Sequence, residues 1–174
     1  MPGYLELLHL RGPGAAVVLR RILIALQHRD AEPCLRALFA DANWRPHLVG
    51  GLAALARGAP DVCGSIWQAV GRSWAAPQLA VALFFLEPGL AAGLRAQFAG
   101  GLVGSPKAIA SLLEIAGWLP ELREWRAQTL ARQDVRAALS AGVDHAVALV
   151  SDWRAGVEAL FGGEGLTLPR VRPA

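Results

Sequence analysis

Lysine is almost missing from this chain: Lys107 stands alone beside sixteen arginines. A surface built to hold nucleic-acid phosphates gathers its cations into a patch or stripe. Here the arginines are spread along the chain, with acidic residues between them and no basic block. The net charge of +3 therefore does not mark a nucleic-acid surface. Cysteine is also scarce. Cys34 and Cys63 are not in a CxxC spacing, and no histidine stands near them in metal-ligand register. That argues against a disulfide framework and a zinc site, and both cysteines read as small apolar core residues in a reducing compartment. Long apolar runs are lacking too. The longest uncharged stretch, residues 73–86, is shorter than the roughly 18–20 residues a membrane span requires, and Pro77 interrupts it. Arg20 and Arg21 break the stretch from Ala15 to Leu26, and Glu6, His9 and Arg11 interrupt any signal-peptide pattern at the start. A soluble cytoplasmic protein with no membrane association is expected.

Charged residues make up 18% of the chain and apolar ones 54%, against usual values of roughly 25% and 45–50%. Disorder is thereby disfavoured, and apolar surface left over from the core points to a protein partner or to self-association. The length of 174 residues suits one domain, expected over residues 1–165, with a flexible tail at 166–174 that has two prolines and no apolar period.

What the chain does have is a repeated phrase. Trp44-Arg45-Pro46-His47-Leu48, Trp74-Ala75-Ala76-Pro77-Gln78-Leu79 and Trp118-Leu119-Pro120-Glu121-Leu122 each set a tryptophan just ahead of a proline and a leucine. Asp152-Trp153-Arg154 echoes them without the proline. Aligning Pro46 with Pro77 puts Leu48 on Leu79, Leu52 on Leu83 and Leu55 on Leu86. That offset, 31 residues, fits two short helices and two turns. Proline belongs in a first helical turn, where amides lack partners. Asn43, Ser73 and Ser105 stand where a capping side chain would, and Gly58 and Gly71 where helices end. The same pattern predicts a helix over about 119–132, another over about 135–149 begun by Asp134, and one over about 153–161 begun by Asp152. Strand-like alternation is hard to find, so the predicted class is all-α.

Paired antiparallel helices recurring at this spacing resemble HEAT or armadillo-type repeats over about residues 31–161. The resemblance implies a short HEAT-like α-α superhelix that presents a concave face to a partner. The phrases Asn43–Val49 and Ser73–Ala80 are also similar to those of small bacterial helical-repeat proteins from toxin–immunity neighbourhoods. That likeness implies an immunity protein, a cytoplasmic neutraliser of a cognate toxin.

Motifs for chemistry are thin. Gly100-Gly101-Leu102-Val103-Gly104-Ser105-Pro106-Lys107 lacks the Gly-Lys-Ser/Thr ending of a phosphate loop, and no strand precedes it. His47 and the Asp144-His145 pair are the acid–base candidates, but nothing in the sequence brings them to a nucleophile. Gly-x-Ser-x-Gly is absent. No catalytic residue, metal ligand or cofactor is expected. The predicted function is a non-catalytic protein-interaction module with one protein partner or a second copy of itself. Trp67, Arg72, Arg95, Trp125 and Arg126 are its candidate contact residues, because tryptophan and arginine dominate binding hot spots. The charge-poor residues 61–120 are a second candidate surface. Two alternatives remain open: a nucleic-acid-associated protein of the HEAT-like DNA glycosylase kind, and a small enzyme without a recognisable motif.

Overall fold

A computed structural model describes residues 3–10, 12–99 and 104–169. Among them are eleven α-helices, two short 3-10 turns and no strand, so the chain is all-α. The helices are α1 (Gly3–His9), α2 (Pro13–Ala25), α3 (Ala31–Ala40), α4 (Trp44–Arg57), α5 (Cys63–Val70), α6 (Ala76–Leu86), α7 (Leu90–Ala99), α8 (Pro106–Gly117), α9 (Arg123–Ala131), α10 (Gln133–Leu139) and α11 (Asp144–Gly163).

The centre is α6, because its sequence leaves it no polar face. Ala-Pro-Gln-Leu-Ala-Val-Ala-Leu-Phe-Phe-Leu is apolar all round except for Gln78, and ten of its eleven residues are buried. A helix of that kind can only be an interior helix. It is enclosed by α4, α5, α8 and α11. Gln78 is tolerated because its side-chain amide donates to the Leu8 carbonyl at 3.0 Å, which also ties α1 to α6.

The layers follow from the pairings. α3 packs on α4, α5 on α6 and α7 on α8, while α4, α6 and α8 lie in a row as an inner layer. The leucines that the 31-residue offset aligns, Leu48, Leu52 and Leu55 of α4 and Leu79, Leu83 and Leu86 of α6, are all buried. The third copy in that row is the Ser105-Pro106 start of α8, rather than the Trp118 phrase. Pro120–Leu122 instead forms a 3-10 turn before α9, the counterpart of the Pro60–Val62 turn before α5.

Large side chains hold the outer helices. Trp67 on α5 lies against Gly93 of α7, where an added Cβ would come within 2.8 Å of the indole. Its Nε1 donates to Glu87 at 3.3 Å, and the Glu87 carboxylate also takes the Gly89 amide at 3.0 Å. Across α7, Phe98 meets Trp125 of α9 edge to face at 5.5 Å.

Capping agrees with the sequence at two helices and departs from it elsewhere. Asn43 accepts from the Arg45 amide at 3.0 Å, and Ser105 accepts from the Ala108 amide at 3.2 Å. α4 ends on Gly58, whose φ of 62° is left-handed. Ser73 is not the cap of α6, which begins at Ala76; its hydroxyl accepts from the Ala75 amide and pairs with His47. The helix expected over 135–149 is two, because Gly142 at φ 78° turns the chain between α10 and α11. Asp152 begins no helix: no glycine or proline interrupts residues 144–155, and it sits inside α11. Cys34 is exposed rather than in the core, whereas Cys63 is buried.

α11 closes the structure. It lies across α6 and α8 and also touches α1, which packs on α4. In an open stack each unit would touch only its neighbours; here the first and last helices meet. Trp153 of α11 is 1% exposed, and its Nε1 donates to the Leu7 carbonyl at 2.9 Å. That carbonyl belongs to the last turn of α1, where the helix offers no partner. Gly156 makes the approach possible, since an added Cβ would lie 2.8 Å from Leu10 Cβ. Arg20 of α2 and Glu164, just after α11, form a two-pronged ion pair at 2.8 Å that ties the end of α11 to α2. After α11, Leu166 and Leu168 lie half-buried against the core, and the Leu166 amide donates to Phe161 at 2.8 Å. Residues 170–174 of the expected tail, and residues 100–103 of the glycine-rich loop, lie outside the described residues.

Two stability changes follow. Trp153→Ala should cost about 3–5 kcal/mol, and Trp153→Phe less, because it keeps most of the ring but leaves the Leu7 carbonyl unpaired. Asn43→Ala should cost about 0.5–2 kcal/mol. Urea denaturation of the variants checks both. Equal midpoints for wild type and Trp153→Ala would contradict the closure.

Candidate functional site

The starts of the three inner helices lie side by side, and their side chains build one surface. Trp44 opens α4, Trp74 stands two residues ahead of α6, and Lys107 is the second residue of α8. The Trp44 and Trp74 rings lie 4.9 Å apart, tilted by 49°. The Lys107 ammonium nitrogen sits 3.7 Å from the centre of the Trp74 ring, on its face. Arg45 lies over Trp44 at 5.1 Å. The row therefore runs Arg45, Trp44, Trp74, Lys107, aromatic in the middle and cationic at both ends.

Trp74 is 47% exposed. Among the described residues only Val17 and Ile24, both on α2, are other large hydrophobic side chains with comparable exposure. A ring held by an indole on one side and an amine on the other has little freedom left to lose. Beyond Lys107 the surface opens into a pocket of about 330 Å³. Ser105 and Pro106 of the α8 start, Gly142 and Val143 of the α10–α11 turn, and His145 of α11 complete its wall.

Beneath the row lies a buried polar cluster. His47 is 1% exposed, with Nδ1 2.8 Å from the Ser73 hydroxyl and Nε2 3.0 Å from the Asp41 carbonyl. A carbonyl only accepts, so Nε2 carries the proton and Nδ1 accepts from the Ser73 hydroxyl. The Ser73 oxygen in turn accepts from the Ala75 amide at 3.0 Å. In the neutral ring each proton of the cluster has an acceptor. Burial pushes the His47 pKa below the usual value; the hydrogen bond to the Asp41 carbonyl opposes this, and the Arg72 cation adds to the lowering. The Ser–His pair looks like a nucleophile with its base. Ser73 is buried, however, and the third member is a backbone carbonyl rather than a carboxylate, so the cluster joins the α3–α4 and α5–α6 turns instead of facing a substrate.

The five residues predicted as contacts lie elsewhere, along the outer helices and the turn after α5. Trp67 and Trp125 flank α7, as described. Arg72 donates to the Asp41 and Phe39 carbonyls at 2.9 and 2.6 Å, closing the end of α3. Arg132 does the same to α7, donating to Phe98 at 2.8 Å. Arg126 donates to the Leu113 carbonyl at 2.7 Å and pairs with Glu114 at 3.7 Å. Arg95 reaches the Glu121 carbonyl at 3.4 Å. Trp67, Arg95 and Trp125 thus lie about α7, Arg126 joins α9 to α8, and Arg72 closes α3. The charge-poor segment 61–120 is accounted for largely by burial, since it contains α6 and α8.

Lys107 and His145 carried no signal as a pair in the sequence, because 38 residues separate them and only the turn at Gly142 brings them to one pocket. The one hint was the solitary lysine itself. Among the described residues no group of three or more His, Cys, Asp or Glu side chains could hold a metal ion. Nor is any helix there long and apolar enough to cross a membrane. No family model, curated protein or solved structure matches the chain.

The lowered histidine pKa sets a pH dependence. The unfolded chain has a histidine pKa of about 6.5, and the folded His47 titrates below it. Above about pH 6.5 the contribution is complete. As the pH falls further the unfolded state takes up the proton first, and the contribution is lost on the way to the folded pKa. The stability difference between wild type and His47→Gln, followed by urea denaturation from pH 8 to 5, should shrink below about pH 6.5. A difference that grows toward acid would mean that His47 is charged in the fold.

Proposed function

We propose that this chain is a protein-interaction module without catalytic turnover, and that its contact surface is the row Arg45, Trp44, Trp74 and Lys107. One observation supports this above others: Trp74, a large aromatic ring 47% exposed yet packed against Trp44 and Lys107. Rigid tryptophans flanked by cations are the side chains from which binding hot spots are built. The three helix starts add positive potential at the same end. The partner that fits is a protein segment with apolar side chains between carboxylates.

The helix pairs α3/α4, α5/α6 and α7/α8 are read as a short HEAT-like stack. In such a stack the inner face usually receives the partner. α11 packs on α6 and α8, and in this reading the contact surface is the exposed ends of the inner helices. The toxin-neutralising role implied by the toxin–immunity likeness is the specific form of this proposal, and a toxin encoded beside this chain would be the partner to try first. The positive net charge argues against mimicry of nucleic acid, so a nuclease is a poor candidate for that toxin. A nucleic-acid role of the HEAT-like DNA glycosylase kind is the second reading.

Affinity capture from the native host tests the proposal, using wild type and Trp74→Ala. The substitution should cost only about 1 kcal/mol of stability, since it removes aromatic and cation–π contacts at a half-exposed ring. One protein held by the wild type, or a second copy of the chain, should be lost with Trp74→Ala while the fold persists. Retention of that partner by Trp74→Ala, and its loss on replacing Arg95 and Trp125, would return the contact surface to the outer helices. Captured nucleic acid released by moderate salt would support the second reading.

A further inference from the structure

The pocket beside Trp74 contains an amine in an unusual setting. Lys107 is the chain's single lysine, and its nitrogen rests on the Trp74 ring face. No ion pair or hydrogen bond reaches that nitrogen from the described residues. It stands in the first turn of α8, where the positive end of the helix disfavours a second positive charge. The amine is half-buried, and the pocket of about 330 Å³ in front of it is of a size that admits a small molecule.

We infer that Lys107 is a nucleophilic amine that takes up a small aldehyde in this pocket as a Schiff base. The nitrogen lone pair attacks the carbonyl carbon, and the C=O π bond becomes a hydroxyl as a proton moves from nitrogen to oxygen. Water then leaves, and the C=N bond forms. No oxidant or reductant is consumed. His145, on the α11 wall, is the titratable side chain available in the pocket to move the proton, and Arg45 lies beyond Trp44 at the far end of the row.

The electrostatics agree with the geometry. Burial pushes the Lys107 pKa down to about 8. At pH 7.4 such an amine is about 20% unprotonated, against about 0.1% for an ordinary lysine. Desolvation of this kind is a known way of turning lysine into a nucleophile. The inference does not depend on a protein partner. Aldehyde capture and partner binding are read by different measurements, so either can fail alone.

The test uses pyridoxal 5′-phosphate as the aldehyde probe, with cyanoborohydride to trap the imine and peptide mass spectrometry to locate it. Because the chain has one lysine, a modified side-chain amine can only be Lys107; the α-amino group is resolved on its own peptide. The folded chain should be labelled at Lys107 at least about tenfold faster than the same chain in urea, whose lysine is ordinary. The advantage should narrow as the pH rises from 7 to 10. Lys107→Arg, which keeps a cation over the ring, should lose the adduct while its circular dichroism is unchanged. Labelling no faster in the folded chain than in urea, or confined to the α-amino group, would overturn the inference.

Discussion

The whole structure depends on the burial of α6. A helix that presents leucine, valine, alanine and phenylalanine in every direction is stable only when it is covered in every direction. α4 and α8 cover its flanks, α5 lies on the outer side, and α11 completes the enclosure. Each of those helices must then spend its own apolar face on α6, and their remaining faces set where α1, α3 and α10 can pack. The small residues follow from the same need. Ala80 and Ala82 are wholly buried, and Gly51 of α4 faces Leu79 and Ala82 at ordinary contact distance.

Closure by α11 has a functional consequence. The faces of α6 and α8 that α11 covers are closed by the chain's own last helix. Trp153 seals the seam to α1, and Arg154 lies over Trp118 and Phe84 at 4.6 and 5.1 Å on the side facing α6 and α8. What stays open is the end of the inner layer, where three helices begin together. Trp44, Trp74 and Lys107 are separated by 30 and 33 residues, close to the 31-residue offset but not at equivalent positions, and each stands at or just beside the start of an inner helix, so they meet in space although distant in the chain.

Much of the fold was legible in the chain. The leucine register linking α4 to α6 holds, as do the prolines in the first turns of α4, α6 and α8 and the caps at Asn43 and Ser105. These signals are local, written in residues close together in the chain. Ser73 misled because a serine ahead of a proline reads as a cap, whereas its hydroxyl is held by His47, 26 residues away. The Trp118 phrase misled because composition alone does not separate a 3-10 turn entering an outer helix from the start of an inner one. The surface was the least legible part. Tryptophans that fill seams, such as Trp67 and Trp125, look the same in sequence as one left half-exposed, such as Trp74. Only the packing of other helices tells them apart. The pocket at Lys107 depends on the Gly142 turn and could not be read from either segment alone.

The central claim is that α11 is an integral wall of the core rather than a helix laid loosely on an open stack. Native-state hydrogen exchange, resolved by peptide, tests it most directly. If α11 encloses α6, the amides of both helices should exchange together, at the slowest rates in the chain and through global unfolding. Amides of α11 that exchange orders of magnitude faster than those of α6, while α4 to α8 stay protected, would contradict it. The inner face would then be open to a partner, and the Trp74 surface would lose its claim to be the contact site.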